Sequence, residues 1–221
     1  MVNYVMEVAP YAVFAAMTTV VANKGLSILI SYGYLMLCFM GGLLFFTTVI
    51  LWLIAAVNGI NYWKLLKELK EALLISFSTA SSEASFPQTI AALEKFGCSR
   101  RIVGFVLPLG YSFNLDGSML YMTFATGFIA QAYGVHLSLE QQITMLLTLM
   151  ITSKGIAGVP RASLVIIAGT LTMFNLPAEG IALLLGVDPF LDMGRTVTSV
   201  AGNGVATCVV SKWEGEFNPT T

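Results

Sequence analysis

From Leu26 to Val57 the chain runs about 32 residues without one Asp, Glu, Lys or Arg. An apolar helix of about 20 residues already crosses the hydrocarbon core of a bilayer, and a longer one crosses it with tilt. The remainder of the chain is no friendlier to water. Only 10% of residues are charged and 57% are hydrophobic, whereas a soluble domain carries about 25% charged residues. The bilayer is the natural solvent, and helices that satisfy their own backbone are the natural way to fill it. The expected class is therefore an all-α integral membrane protein. A net charge of -1 without a large basic cluster argues against a nucleic-acid partner. Cys38, Cys98 and Cys208 are scattered without metal or redox spacing and read as small buried hydrophobes. The opening MVNYVMEVAPYAVF lacks the basic region and cleavage site of a signal peptide. It reads as the middle of a helix, so the chain is expected to be the later part of a longer membrane protein.

Beyond Asn58-Gly59 the pattern changes. NYWKLLKELKEALL is amphipathic, and the apolar segment it enters dissolves into STASSEAS before resuming at Phe86-Pro87. Basic residues flank that segment on both sides: Lys64, Lys67 and Lys70 before it, Lys95, Arg100 and Arg101 after it. The positive-inside rule places both flanks in the cytoplasm, and each apolar arm is too short to cross alone. A hairpin that enters and returns on one side meets both constraints. A helix over residues 102–135 is expected to be interrupted at GYSFNLDGS. Residues 139–177 repeat the hairpin design around TSKGIAGVPRAS, with flanks free of Lys and Arg that suggest the opposite side. Residues 181–210 read as a long final helix carrying Asp188, Asp192, Arg195 and Asn203. A hairpin followed by a helix broken by polar residues thus appears twice, as an inverted repeat. Paired interruptions of this kind point to a transporter's binding site.

Irregular backbone at membrane depth must be sheltered by protein or line a wet cavity, so the tips and the broken helix are expected to meet. Freed amides there attract anions and freed carbonyls attract cations. Asp192 and Arg195 lie three apart on one helix face. They read equally well as a structural ion pair or as separate ligands, with Arg195 forking onto a carboxylate and Asp192 taking an ammonium. Asn114 and Asp116, with carbonyls near Gly110 and Ser112, offer oxygen ligands to a hard cation, or else cap the following half-helix. His136, the sole histidine, reads as a solvated loop residue. With no buried histidine and no Ser-x-x-Lys pair, an intramembrane hydrolase is disfavoured, so the chain reads as no enzyme.

The ordered motifs TASSEASFP, GYSFNLDGSMLY, SKGIAGVPRAS and GVDPFLDMGRTVTSVAGNGVAT resemble the dicarboxylate/amino acid:cation symporter family, which includes the glutamate/aspartate transporters. The resemblance implies a trimer whose transport domain moves as an elevator, eight transmembrane helices and two re-entrant hairpins. It assigns 1–25 to the end of scaffold helix five, 26–60 to helix six and 61–98 to hairpin one. It assigns 99–135 to broken helix seven, 136–176 to hairpin two (the gate), 177–213 to helix eight and 214–221 to a cytoplasmic tail. By the same resemblance, helices one to four are expected to lie outside this chain.

Carried over position by position, the resemblance implies that backbone near Ser81 and Ser82 holds the solute's alpha-carboxylate and that Ser118 contacts the solute. Gly158 and Val159 cover it, Arg195 binds its side-chain carboxylate and Asp192 its amino group, with Ser199 nearby. It places the coupling cation near Gly110, Ser112, Asn114, Asp116 and Asn203, and a second one at Ser153, Lys154 and Ile156. Sodium is the only metal it admits, and no cofactor is implied. Sodium-coupled members carry Asp at the Asn203 position and Asn at the Ser199 position. Lys154 brings a fixed ammonium to the gate tip, and Glu83 is expected to be a desolvated proton carrier. Ala80 lacks the Arg of some prokaryotic members. These departures favour a proton over sodium. The implied protein is a multi-pass symporter of the inner (plasma) membrane with a cytoplasmic C-terminus. Its solute is glutamate or aspartate, because dicarboxylate carriers tend to lack the acid at the Asp192 position. A C4-dicarboxylate carrier, an anion channel and an inactive truncated fragment are the competing readings.

Overall fold

A computed structural model describes residues 27–154 and 162–218, with scattered positions between 11 and 25. Within these residues every regular element is helical, and the only strand-like pairing is an isolated bridge between Cys98 and Phe217. The uncharged run forms α1 (Ser27–Phe45), a π-helical turn (Phe46–Ile50) and α2 (Leu51–Val57). Ile28–Val57 is apolar and long enough to cross a membrane by length and composition, and most of its surface faces outward. The wide turn shifts the hydrogen-bond ladder and leaves the Thr47 carbonyl to accept from Tyr62 Oη at 2.6 Å.

Asn58-Gly59 ends α2, with Gly59 at φ +62. Asn61 then caps α3 (Tyr62–Thr79) by accepting from the Lys64 amide at 3.1 Å. Ala80 stops α3 in the left-handed region, φ 49. After a short tip, α4 (Phe86–Phe96) starts with Pro87 in its first turn, where a missing N–H costs nothing, and ends at Gly97 with φ 119. Lys95 Nζ, 2.8 Å from Glu68 Oε2, ties α4 back to α3.

Ser99 caps α5 (Arg100–Phe113). Asn114 and Leu115 leave helical geometry, and α6 (Asp116–Ala132) resumes at Asp116. The interruption expected within GYSFNLDGS is therefore present. A Ser138–Gln141 capping box opens α7 (Leu139–Thr152). Then come α8 (Ala162–Met173), a single 3-10 turn, α9 (Ile181–Leu185) and α10 (Asp188–Trp213).

The last helix departs from expectation. Residues 181–210 are not one helix, because the chain breaks at Gly186-Val187 before α10. Nor is α10 interrupted by its polar residues: it stays helical through GRTVTSVAGNG. Pro189 explains the first point, since a proline is welcome in a first turn and disturbs the interior of a helix. Small residues explain the second. Gly, Ala, Ser and Thr let neighbours approach closely, and their hydroxyls bond back to the preceding turn, as Thr198 and Thr207 do.

Two cores flank α10. One gathers Phe39, Tyr121, Ile129, Leu149, Ile167 and Leu184 from α1 and α6 to α9, and the other Leu51, Leu65, Leu93, Leu107 and Cys208 from α2 to α5 and α10. Between them α10 buries Asp192, Arg195, Thr196, Ser199 and Asn203. At its far end, Lys212 Nζ donates to the Gly59 carbonyl at 3.3 Å and Trp213 Nε1 to Asn58 Oδ1 at 3.0 Å. Arg101 pairs with Glu216 at 2.5 Å, and Asn218 N donates to the Gly97 carbonyl at 2.8 Å. The start of α3 and the end of α4 therefore meet the same end of α10.

Candidate functional site: a buried arginine beside an interrupted helix

Helical spacing sets Asp192, Arg195, Ser199 and Asn203 along one stripe of α10. Asp192 and Arg195 are 2% and 3% exposed, so both are cut off from bulk water. Arg195 Nε donates to Asp192 Oδ1 at 2.7 Å, and Thr196 Oγ1 approaches the same oxygen at 3.4 Å. Behind the pair, the guanidinium lies 4.7 Å from the Tyr121 ring centroid, and Tyr121 Oη donates to Asp188 Oδ1 at 2.6 Å. One edge of the guanidinium is thus fixed by a carboxylate and one face by an aromatic ring. Nη1 of Arg195 is buried and has no hydrogen-bond partner among the described residues. A charged donor left unsatisfied inside a protein is costly, by about 1–3 kcal/mol or more. An acceptor brought by a ligand would remove that cost.

Next to this pair, the break between α5 and α6 is pressed against α10. Gly117 N donates to Ser199 Oγ at 3.1 Å, and Asn114 Nδ2 donates to Asn203 Oδ1 at 3.2 Å. Glycines make the approach feasible. A Cβ at Gly117 would run into the Arg195 backbone, one at Gly110 into Asn203 Oδ1, and one at Gly202 into Asp116 Oδ2. From the other side Lys154 Nζ donates to the Phe113 carbonyl at 2.7 Å, at the C-terminal end of α5. The break therefore offers one carboxylate, two amide side chains, freed carbonyls and one ammonium. This is a hard-oxygen environment suited to a small cation rather than a soft metal. Among the described residues no group of three or more His, Cys, Asp or Glu gathers as a metal centre.

Gly110, Asn114, Asp116, Arg195, Ser199 and Asn203 are thus brought together, with Lys154 reaching the same break; Ser112 lies half-buried two residues before Asn114. Ser153 is buried one residue before Lys154. Ser118 is half-buried in the first turn of α6. Ser82 is buried at the α3–α4 tip, where its carbonyl accepts from Ser85 Oγ at 3.0 Å, while Ser81 Oγ accepts from the Ala84 amide at 3.4 Å. Ile156, Gly158 and Val159 lie outside the described residues. One expectation fails. Glu83 is exposed at its tip, so the burial that a desolvated proton carrier needs is missing. The cysteine reading also needs amending: Cys98 and Cys208 are buried, but Cys38 is exposed. Tyr121 and Gly117 escaped sequence reasoning. Each lies within three residues of Ser118, but their partners are about 70 to 80 residues away, and no local pattern announces them.

A groove of about 740 Å³ between α1 and α6, lined by residues such as Tyr34, Cys38, Phe124 and Phe128, contains none of these groups. Its lining has no charged side chain.

An interrupted helix packed against a buried Arg–Asp stripe is an arrangement that suits a solute carrier. The profile of the sodium:dicarboxylate symporter family matches residues 1–213, and the chain belongs to that family. Members of a transporter family work in a membrane, so this is a membrane protein. It is 48% identical over 218 residues to the proton/sodium-glutamate symport protein of Bacillus subtilis (strain 168), covering 99% of this chain and 51% of the relative. It is 47% identical over 216 residues to the proton/glutamate-aspartate symporter of Escherichia coli (strain K12), covering 98% and 49%. It is 44% identical over 218 residues to the C4-dicarboxylate transport protein of Erwinia tasmaniensis, covering 98% and 51%. The chain spans about half the length of these relatives.

Proposed function

We infer that this chain is the solute-binding half of a secondary symporter that takes up an acidic amino acid, glutamate or aspartate, coupled to protons. The observation that carries the reading is the buried Arg195–Asp192 pair with Nη1 of the arginine unsatisfied. In the free protein Asp192 holds the guanidinium. A solute with two carboxylates and an ammonium can divide the pair, its side-chain carboxylate forking onto Arg195 and its ammonium meeting Asp192. The exchange keeps every buried charge compensated, which is what makes entry tolerable in a low dielectric. Backbone near Ser81 and Ser82 holds the alpha-carboxylate, Ser118 contacts the solute, and Gly158 and Val159 close over it. Asn203 in place of an acid and the ammonium of Lys154 favour a proton over sodium as coupling ion. Both leave the break with less uncompensated negative charge for a free cation to neutralise.

In this reading α3–α4 and α7–α8 are re-entrant hairpins opening to opposite faces, the C-terminus is cytoplasmic, and the complete protein is a homotrimer working as an elevator. Uptake of labelled glutamate into proteoliposomes under imposed gradients tests it. Accumulation driven by a pH gradient in sodium-free buffer is expected, and accumulation that needs sodium and ignores pH defeats proton coupling. A C4-dicarboxylate carrier is the second reading, favoured by the 44% identity to the Erwinia tasmaniensis protein. Succinate displacing labelled glutamate better than aspartate does would select it.

A further inference from the structure

Two of the three thiols touch. Cys98, in the turn between α4 and α5, and Cys208, in the last third of α10, are 110 residues apart, yet their Sγ atoms lie 3.5 Å from each other. Their side chains are 4% and 0% exposed. A disulfide needs an S–S distance of about 2.0 Å and Cβ atoms about 3.5–4.5 Å apart. Sulfurs already in contact have only about 1.5 Å left to close. We propose that Cys98 and Cys208 form an exchange site for low-molecular-weight aliphatic disulfides, which closes into an internal crosslink between the α4–α5 turn and α10.

Access is controlled by the C-terminal strap. Phe217 bridges Cys98 backbone to backbone and stacks on Phe96 with ring centroids 5.7 Å apart. Ser99 N and Asn218 N add hydrogen bonds to the Glu216 and Gly97 carbonyls. The Arg101–Glu216 ion pair and a Ser99 Oγ hydrogen bond to the Glu216 carboxylate hold the strap as well, yet a chain end held by a handful of surface contacts opens locally more easily than a core helix. Cys98 is the attacking group. It is the more exposed of the two, and its hydrogen bond with Cys208 holds it below the usual thiol range. With its proton released to solvent, its thiolate displaces one thiolate from the reagent and leaves a mixed disulfide. Cys208 gives up its proton, attacks Cys98 Sγ and expels the second thiolate, which takes a proton. The sum is two cysteine thiols plus one disulfide giving one internal disulfide plus two small thiols.

The crosslink pins the base of the α3–α4 unit to the helix that bears Asp192 and Arg195. The test uses the whole chain, purified in detergent in a Cys38→Ser background and incubated with 2-hydroxyethyl disulfide. Expected are loss of two hydrogen atoms in intact mass, a crosslinked peptide joining residues 98 and 208, and a raised melting temperature. Phe217→Ala is expected to speed closure several-fold, and Cys208→Ser to stop at an adduct on Cys98. If both cysteines remain fully alkylable after unfolding, in the strap variant as well, the proposal is overturned.

Discussion

A buried guanidinium held at one edge by a carboxylate is stable only while its charge is answered, and Asp192 answers it in the free protein. The proposed function gives Asp192 a second task, to receive the solute's ammonium. Removing one partner of a buried pair costs about 3–5 kcal/mol, and part of that cost falls on the resting state. Asp192→Ser should therefore weaken glutamate binding by about 2–4 kcal/mol while changing succinate binding by less than tenfold, read by competition for labelled solute. Equal losses for the two solutes would refute the division of labour. Gly117 has a steric role at the same site. A methyl group there meets the Arg195 backbone, whereas one at Gly127 meets nothing within 4 Å. Gly117→Ala should cost about 1–3 kcal/mol by overpacking, and Gly127→Ala should be neutral or slightly stabilising, as a thermal melt of the purified chain would show. The sequence alone made NLDG and the Asp192/Arg195 spacing visible, because those signals lie within four residues of each other. It could not separate an ion pair from two ligands, since that depends on where Nη1 finds itself after packing. Nor could it reveal Tyr121 under the guanidinium, a contact across 74 positions.

Among the elements, the interruptions were read unevenly. The break at Asn114-Leu115 was legible from glycine and amide residues within an apolar run. The break at Gly186-Val187 is signalled by Asp188-Pro189, although the polar run further on carries more of the residues that usually interrupt a helix. That run remains helical since its residues are small and its partners, Gly117 and Asn114 among them, come from another element. The tip of α3 shows the reverse economy: Ala80 sits at φ 49, where a residue with a Cβ is strained. Ala80→Gly should raise stability by about 0.5–1 kcal/mol, measurable by denaturation in detergent. Lys154 joins α7 to the carbonyl end of α5, where the helix dipole and Asp116 both favour a cation. Lys154→Met removes that fixed charge at a loss of about 1–2 kcal/mol. It should also make the melting temperature rise with added sodium and not with choline. A variant insensitive to sodium would mean that the ammonium occupies no cation's place.

For the whole molecule, one long helix decides which parts lie at the same end. Lys212, Trp213 and Glu216, just inside and beyond the end of α10, contact Gly59, Asn58 and Arg101, so three stretches of the chain meet there. Lys64, Lys67, Lys70, Lys95, Arg100 and Arg101 cluster in the segments joined there. A potential difference and anionic lipid favour a basic end in the cytoplasm, which is where the proposed topology puts it. The loop at 134–138 and the turn at 175–178 bear no Lys or Arg, and the proposed topology puts them at the opposite end. The topology is therefore testable with single cysteines introduced into a cysteine-free chain in sealed right-side-out vesicles. Cysteines placed at Lys70, Lys95 and Glu214 should resist an impermeant maleimide until the membrane is opened, while those at His136 and Glu179 should react at once. Because Lys70 and Lys95 bracket the α3–α4 unit, their common protection would mean that both arms return to the side they left. Labelling of one and not the other would require a single crossing between them, and the proposal that α3 and α4 form a re-entrant hairpin would be refuted.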